Sequence, residues 1–213
     1  MRTIKTTTYT GTVIRVGNEK REMLLSMTLL LRMYGFTAIE IPVIQYRETF
    51  TGKVGAENNN LMFNFTDRNN RELCLAPEYT SVVQQLAKTD FKDKRDVCLF
   101  YVAECFRGDR SQRGRWRQFT QLGVEVLNPT PVVGVTEIQT LAMTLISEIA
   151  GISDVTLTTD VTRGLDYYRD GKGFEIVSKC GLQLCGGGEY EGGIGFAIGI
   201  DRLMLVKESV KAG

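Results

Sequence analysis

Five arginines fall within eleven residues: Arg107, Arg110, Arg113, Arg115 and Arg117, in the run FRGDRSQRGRWRQFTQLGVEV from Phe106 to Val126. Guanidinium groups at this density either decorate a solvated loop or gather around an anion such as phosphate, which their planar forks grip in pairs. The strand-like stretches on both sides favour the second use. Downstream, the Gly-rich apolar run GFAIGIDRLMLV from Gly195 to Val206 delivers one more arginine, Arg202. The chain contains no histidine, so a Ser-His-Asp or Cys-His nucleophile cannot be built from it. Catalysis must then rest on placed charge, carboxylates or metal-bound phosphates.

Composition narrows the setting. The 213 residues are 43% hydrophobic and 24% charged, a normal globular balance with room for one domain over 1–213. The net charge of +1 supplies no overall field for nucleic acid. Five cysteines form no CxxC pair, and several lie in apolar runs, so they read as reduced core thiols. With no histidine and no close cysteine pair, a zinc site is not expected. Neither a membrane-length apolar run nor a secretory h-region is visible, which points to a cytoplasmic protein without a membrane partner.

The elements that must carry the arginines follow from periodicity. Residues 1–17 are Thr-rich and extended, an edge strand or a segment that folds against a partner. Met23, Leu24, Met27, Leu30 and Leu31 share one helical face, between Asn18 and Gly35. FTAIEIPVI alternates as a strand that Pro42 interrupts. A polar loop over 52–60, short strands at 61–65 and 72–75, and a helix over 79–88 come next. Strands at 97–106 and 119–127 flank the arginine loop, and a helix is expected over 135–150. Strands follow at 155–159, 173–177, 182–184 and 195–198, with a last helix near Asp201. Strands outnumber helices and hairpin signals dominate, so the fold class is α+β, an antiparallel sheet flanked by helices. Neither GxGxxG before a helix nor GxxxxGK[ST] is present, which disfavours a dinucleotide fold and a P-loop.

Taken in order, these motifs resemble those of a class II aminoacyl-tRNA synthetase, and most closely of histidyl-tRNA synthetase. YGFTAIEIPVIQYRETF over 34–50 is similar to the first motif, which in that family builds the subunit interface. FRGD with GRWRQFTQLGVEV is similar to the second motif, and GIGFAIGIDRL over 193–203 to the third. LCLAPEYT, RGLDYY over 163–168 and CGGGEYEGG over 185–193 resemble the segments that shape the amino-acid pocket.

The resemblance implies roles. Arg107 would bridge the amino-acid carboxylate and the α-phosphate of ATP, and Arg163 would assist at the same phosphate. Arg115 would meet the terminal phosphates, Arg202 would stack on the adenine opposite Phe119, and Mg²⁺ would offset the remaining charge. Glu78 and Gln121 would hold the α-amino group of L-histidine. Glu125 and Tyr168 would face its imidazole, with Tyr167, Gly186, Gly187 and Gly188 lining the pocket. A homodimer and a weak, salt-dependent contact with a tRNA acceptor end are implied as well. Residue by residue, each has a plainer structural reading, such as a surface carboxylate at Glu125 or a turn at Gly186 to Gly188.

The sequence also departs from the pattern. Ala76 stands where the family has arginine, Asp109 and Gln118 where it has glutamate, and Glu189 where it has arginine. The family's helical insertion has no counterpart between Glu125 and Arg163, and its anticodon-binding domain none before Gly213. These departures bring in an alternative: a non-catalytic histidine sensor resembling the regulatory subunit of ATP phosphoribosyltransferase.

Overall fold

The computed structural model describes all residues except 1, 2, 12, 16, 17, 162–167 and 213. In chain order the elements are β1 (Thr3–Thr7), β2 (Val13–Arg15), α1 (Glu19–Met33), β3 (Thr37–Ala38), β4 (Ile44–Tyr46), α2 (Gly55–Asn60), β5 (Asn64–Thr66), β6 (Glu72–Leu75) and α3 (Thr80–Lys88). They continue as β7 (Val97–Phe106), β8 (Gln118–Leu127), α4 (Val135–Thr144), β9 (Val155–Val161), β10 (Tyr168–Ser178), β11 (Gln183–Tyr190), β12 (Gly193–Gly199) and α5 (Ile200–Ala212).

Seven strands make the main sheet in the order β3-β7-β8-β12-β11-β10-β9. All neighbours run antiparallel except β3, which lies parallel to β7 at the edge. Two small sheets accompany it, a β1-β2 ribbon and a three-stranded β4-β6-β5 sheet.

Alternation in the strands separates two cores. On one face Phe100, Leu122, Val124, Ile194, Phe196 and Ile198 pack against α1, α4 and α5 through Met27, Leu31, Leu141 and Leu203. Tyr101, Cys105, Leu127 and Tyr190 emerge on the other, where Tyr79 and Val83 at the start of α3, and Phe50 and Met62 on either side of α2, close over them. α4 does not run straight to Ala150. It passes at Leu145–Ile149 into one π-helical turn, closed by the Ala150 N–H donating to the Leu145 carbonyl at 3.0 Å.

Glycines fit the sheet to its large polar side chains. Gly123 is the cross-strand partner of Tyr101 and Gly195 that of Glu125. A Cβ on Gly123 would overlap the Tyr101 phenol, and one on Gly195 would overlap the Glu125 carboxylate. The Gly186 to Gly188 run is not a turn. It is strand, pairing β10 on one side and β12 on the other.

Candidate functional site

The arginine loop leaves β7 at Arg107 and returns into β8 at Gln118. Its base is closed by the Arg107 N–H donating to the Arg117 carbonyl at 2.9 Å. Its tip turns through Gly114, held at φ +79° against Leu182, with Gln112 and Arg115 paired across it. The turn between β1 and β2 holds the loop from outside. The Arg117 guanidinium donates to the Tyr9 carbonyl at 2.6 Å and lies 4.8 Å from the Tyr9 ring centre. Arg117 is therefore engaged in the scaffold.

Beneath the loop lies a cleft of about 360 Å³. Its wall includes Glu78, Arg107, Arg115, Phe119, Gln121, Tyr168, Gly186 and Arg202, all of them expected from the sequence. The Arg107 guanidinium lies 5.4 Å from the Phe119 ring centre and donates through Nε to the Pro77 carbonyl at 3.0 Å. The side chain that faces Phe119 is thus Arg107. Arg202 is anchored instead by Nε to the Gly114 carbonyl (2.8 Å) and by Nη1 to the Gln183 carbonyl (2.9 Å). Burial, together with the charges of Arg107 and Arg115, pulls the Arg202 guanidinium below its usual pKa. Asp109 steadies Arg115 at 3.2 Å. Three guanidiniums sharing one cleft repel one another, and an anion between them removes that cost.

The carboxylates take other positions. Glu78 is 4% exposed and caps α3, its two oxygens accepting the Ser81 N–H at 3.2 Å each. Gln121 accepts the Cys105 thiol on its amide oxygen at 3.0 Å. Glu125 is not on the cleft wall. It is completely buried, with Oε1 accepting from the Thr80 hydroxyl and Oε2 from the Tyr190 phenol, both at 2.8 Å. Burial pushes its carboxyl up to about 8, with the Glu78 charge adding to the rise, although both hydrogen bonds favour the anion. Thr80 does line the cleft, so Glu125 stands one hydroxyl behind the wall.

Of the remaining expected residues, Gly187 turns toward the helical layer, where the Phe174 ring fills the space a side chain would take. Gly188 lies beneath Tyr168. Arg163 and Tyr167 fall outside the described residues. Tyr168 meets Tyr190 edge-on, with ring centres 6.4 Å apart.

Sequence reasoning passed over Thr80, Tyr190, Glu175 and Asp201. Thr80 is two residues beyond Glu78 in the same segment, and Tyr190 closes the GGGEYE run. Glu175 alternates with the core residues Phe174 and Ile176 and so faces the cleft, where Gln183 donates to it at 2.8 Å. The departures from the family pattern also find places. Ala76 is fully buried in the second core, and Glu189 of β11 sits opposite Ile194 of β12, so neither lines the cleft. Cys74, Cys105 and Cys185 are buried thiols, as expected, whereas Cys180 is exposed.

The cleft's own acids are Glu78, Asp109, Glu175 and Asp201. Among the described residues no three metal-ligating side chains cluster. That donor set cannot cage a divalent ion alone, but it fits Mg²⁺ held mainly by phosphate oxygens and water with one or two carboxylates. No helix among the described residues is long and apolar enough to cross a membrane.

Comparison with known proteins bears on family and fold. A family profile described as histidyl-tRNA synthetase matches residues 17–164. A histidine–tRNA ligase of Methanospirillum hungatei is 36% identical over 137 residues, covering 64% of this chain and 33% of the relative. The chain thus spans about a third of the length of that relative. Among solved structures, apo Staphylococcus aureus histidyl-tRNA synthetase superposes with a TM-score of 0.70 at 23% identity, covering 92% of this chain and 70% of the other. A Bacillus halodurans protein titled ATP phosphoribosyltransferase regulatory subunit/histidyl-tRNA synthetase gives 0.72 at 18% identity, covering 87% and 78%. Both share the class II aminoacyl-tRNA synthetase-like fold.

Proposed function

The chain belongs to the histidyl-tRNA synthetase family, and from that premise we propose that it activates L-histidine with ATP as the aminoacyl adenylate. The observation that carries this reading is the convergence of Arg107, Arg115 and Arg202 on one cleft whose wall also holds Glu78 and Gln121. A histidine sensor has no use for three mutually repelling guanidiniums, so the cluster favours the enzyme over the regulatory alternative.

In the proposed reaction a carboxylate oxygen of histidine bonds to the α-phosphorus of ATP while the bond to pyrophosphate breaks. Arg107, fixed by Pro77 and Phe119, would neutralise the approaching carboxylate and the α-phosphate together. Arg115 would hold the terminal phosphates, and Arg202, held by the Gly114 and Gln183 carbonyls, would stack on the adenine. Arg163, matched through the RGLDYY motif, would add charge at the transition state. Mg²⁺, when bound, supplies charge compensation to the leaving pyrophosphate. Glu175 is the cleft carboxylate that would help to hold it. Glu78 and Gln121 would take the α-amino group. Tyr168 and the Thr80–Glu125 pair, beside Gly186, would read the imidazole. Transfer to a tRNA acceptor end, and a homodimeric assembly, belong to the same reading.

Histidine-dependent exchange of labelled pyrophosphate into ATP is the expected outcome. Arg163→Ala should lower kcat far more than it weakens histidine binding. A folded protein with no exchange for any amino acid sinks the reading. Calorimetry showing histidine binding without ATP binding would replace it with the sensor.

A further inference from the structure

Lys20 stands outside the cleft, on the second residue of α1, yet its ammonium reaches the strand and helix that frame it. It donates to Asp201 Oδ1 at 2.9 Å and to Thr120 Oγ1 at 2.6 Å. The Thr120 hydroxyl donates in turn to Glu104 Oε1 at 2.6 Å, and Glu104 Oε2 accepts from Gln118 at 3.3 Å. Asp201 uses its second oxygen to accept the Thr120 backbone N–H at 2.6 Å. The β8–β12 ladder ends at the Gln121–Gly199 pair, after which β12 turns into α5. The Asp201 carboxylate therefore takes over where the ladder stops, and it locks the start of β8 to the first turn of α5.

Both groups that Lys20 contacts line the cleft, and each adjoins further cleft residues in sequence. Thr120 lies between Phe119 and Gln121, and Asp201 precedes Arg202. Lys20 and Asp201 have side chains 32% and 15% exposed, and Thr120 is 4% exposed. Without Lys20, Asp201 and Glu104 would be two half-buried carboxylates with no cation in the network, and mutual repulsion would pull α5 from β8.

We infer that Lys20 is a positioning residue: by joining Asp201, Thr120 and Glu104 it holds the first turn of α5, which carries Arg202, to the start of β8, which carries Phe119 and Gln121. The network needs no ligand. Its link to nucleotide affinity rests on the function proposed above.

The test uses the intact chain and its single tryptophan, Trp116. Trp116 lies two residues past Gly114, whose carbonyl receives Arg202. In Lys20→Met, with no ligand present, acrylamide quenching of Trp116 should rise about twofold, and Lys20→Arg should bring it back toward wild type. Lys207→Met serves as control. Lys207 also ties α5 to its surroundings, donating to the Ala150 carbonyl at 2.8 Å and lying 3.8 Å from Glu19. It should lower thermal stability without changing the quenching. Should Lys20→Met fail to fold, Lys20→Gln, which removes the charge but keeps a donor to Thr120, gives the same reading. Unchanged quenching in the folded Lys20 variant, or an equal rise in Lys207→Met, overturns the inference. In pyrophosphate exchange, KM for ATP should rise about fivefold in Lys20→Met while KM for histidine stays within about twofold. Equal rises in both would mark a merely structural role. A wild-type protein without exchange would count against the proposed function, and the quenching result would still decide the role of Lys20.

Discussion

At the scale of single residues, the chain's most consequential group is Glu125, a carboxyl sealed beneath the sheet face with two hydroxyl partners. Its carboxyl titrates at about 8 in the fold against an ordinary value of 4.5. Between those values the folded state keeps a proton that the unfolded chain has released. Its contribution to stability is therefore fully present below about 4.5 and is lost progressively as pH rises to about 8. Glu125→Gln should flatten that slope, and the variant should gain on wild type at pH 8 relative to pH 5 in urea denaturation. If Glu125 reads the ligand through Thr80, the same variant should weaken histidine binding by about 1–3 kcal/mol and leave ATP nearly unchanged. Equal losses for both ligands would assign Glu125 to the scaffold. Its neighbour supplies a second prediction. A Cβ at Gly195 would collide with the Glu125 carboxylate and come within 2.5 Å of the Val124 carbonyl oxygen, which is backbone and cannot yield. Gly195→Ala should cost more than about 3 kcal/mol, beyond ordinary overpacking, and an unaltered unfolding midpoint would contradict the packing.

At the scale of elements, capping and punctuation governed what could be read from sequence. The Gly134 N–H donates to the Glu137 carboxylate at 3.0 Å, closing the first turn of α4. Glu137→Ala should cost about 1 kcal/mol, visible as a lower thermal midpoint with the cleft intact. β6 and β7 fall where alternation puts them, at Glu72–Leu75 and Val97–Phe106. Asn70, at φ 59°, confirms the turn between β5 and β6. The strand expected through FTAIEIPVI survives only as Thr37–Ala38 and Ile44–Tyr46, because Pro42 offers no donor to a ladder. Of the strand expected at 182–184, only Gln183 and Leu184 fall in β11, which spans eight residues. Its glycines look like a turn in sequence, since the Phe174 and Tyr168 rings that occupy their side-chain space lie elsewhere in the chain. α2, at Gly55–Asn60, replaces an expected polar loop, and Asn-rich composition gives no warning of it. The site divides similarly. Charged and aromatic residues in contiguous motifs reached the cleft, whereas Glu125 stands one hydroxyl behind its wall, because sequence records which face a strand residue takes but not what covers that face.

For the molecule as a whole, one surface is left without an explanation inside the fold. α1 is apolar on two opposite sides. Met23, Met27 and Leu31 are buried in the core, and Leu25, Leu29 and Met33, two residues out of phase, are 59%, 49% and 80% exposed. A helix that is hydrophobic all round belongs in an interior, not at a water boundary. Ile44, Tyr46 and Phe65, on β4 and β5, add exposed large side chains. Register aligns Tyr46, Leu73 and Phe65 on one face of the small sheet. Such apolar surface in a chain of net charge +1 invites association. The class II resemblance assigns residues 34–50, which follow α1 directly, to a subunit interface, so a second copy is the proposed cover. Sedimentation at micromolar concentration should give a dimer. Leu29→Glu combined with Met33→Glu should convert it to a monomer, because a buried unpaired charge costs several kcal/mol at an interface and little on an exposed helix. Since α1 also carries Lys20, loss of the dimer has a further readout. If covering α1 helps to hold its first turn, the monomeric variant should show a higher KM for ATP together with greater quenching of Trp116. A wild-type monomer at micromolar concentration would refute the dimer and leave the exposed stripe to a different partner.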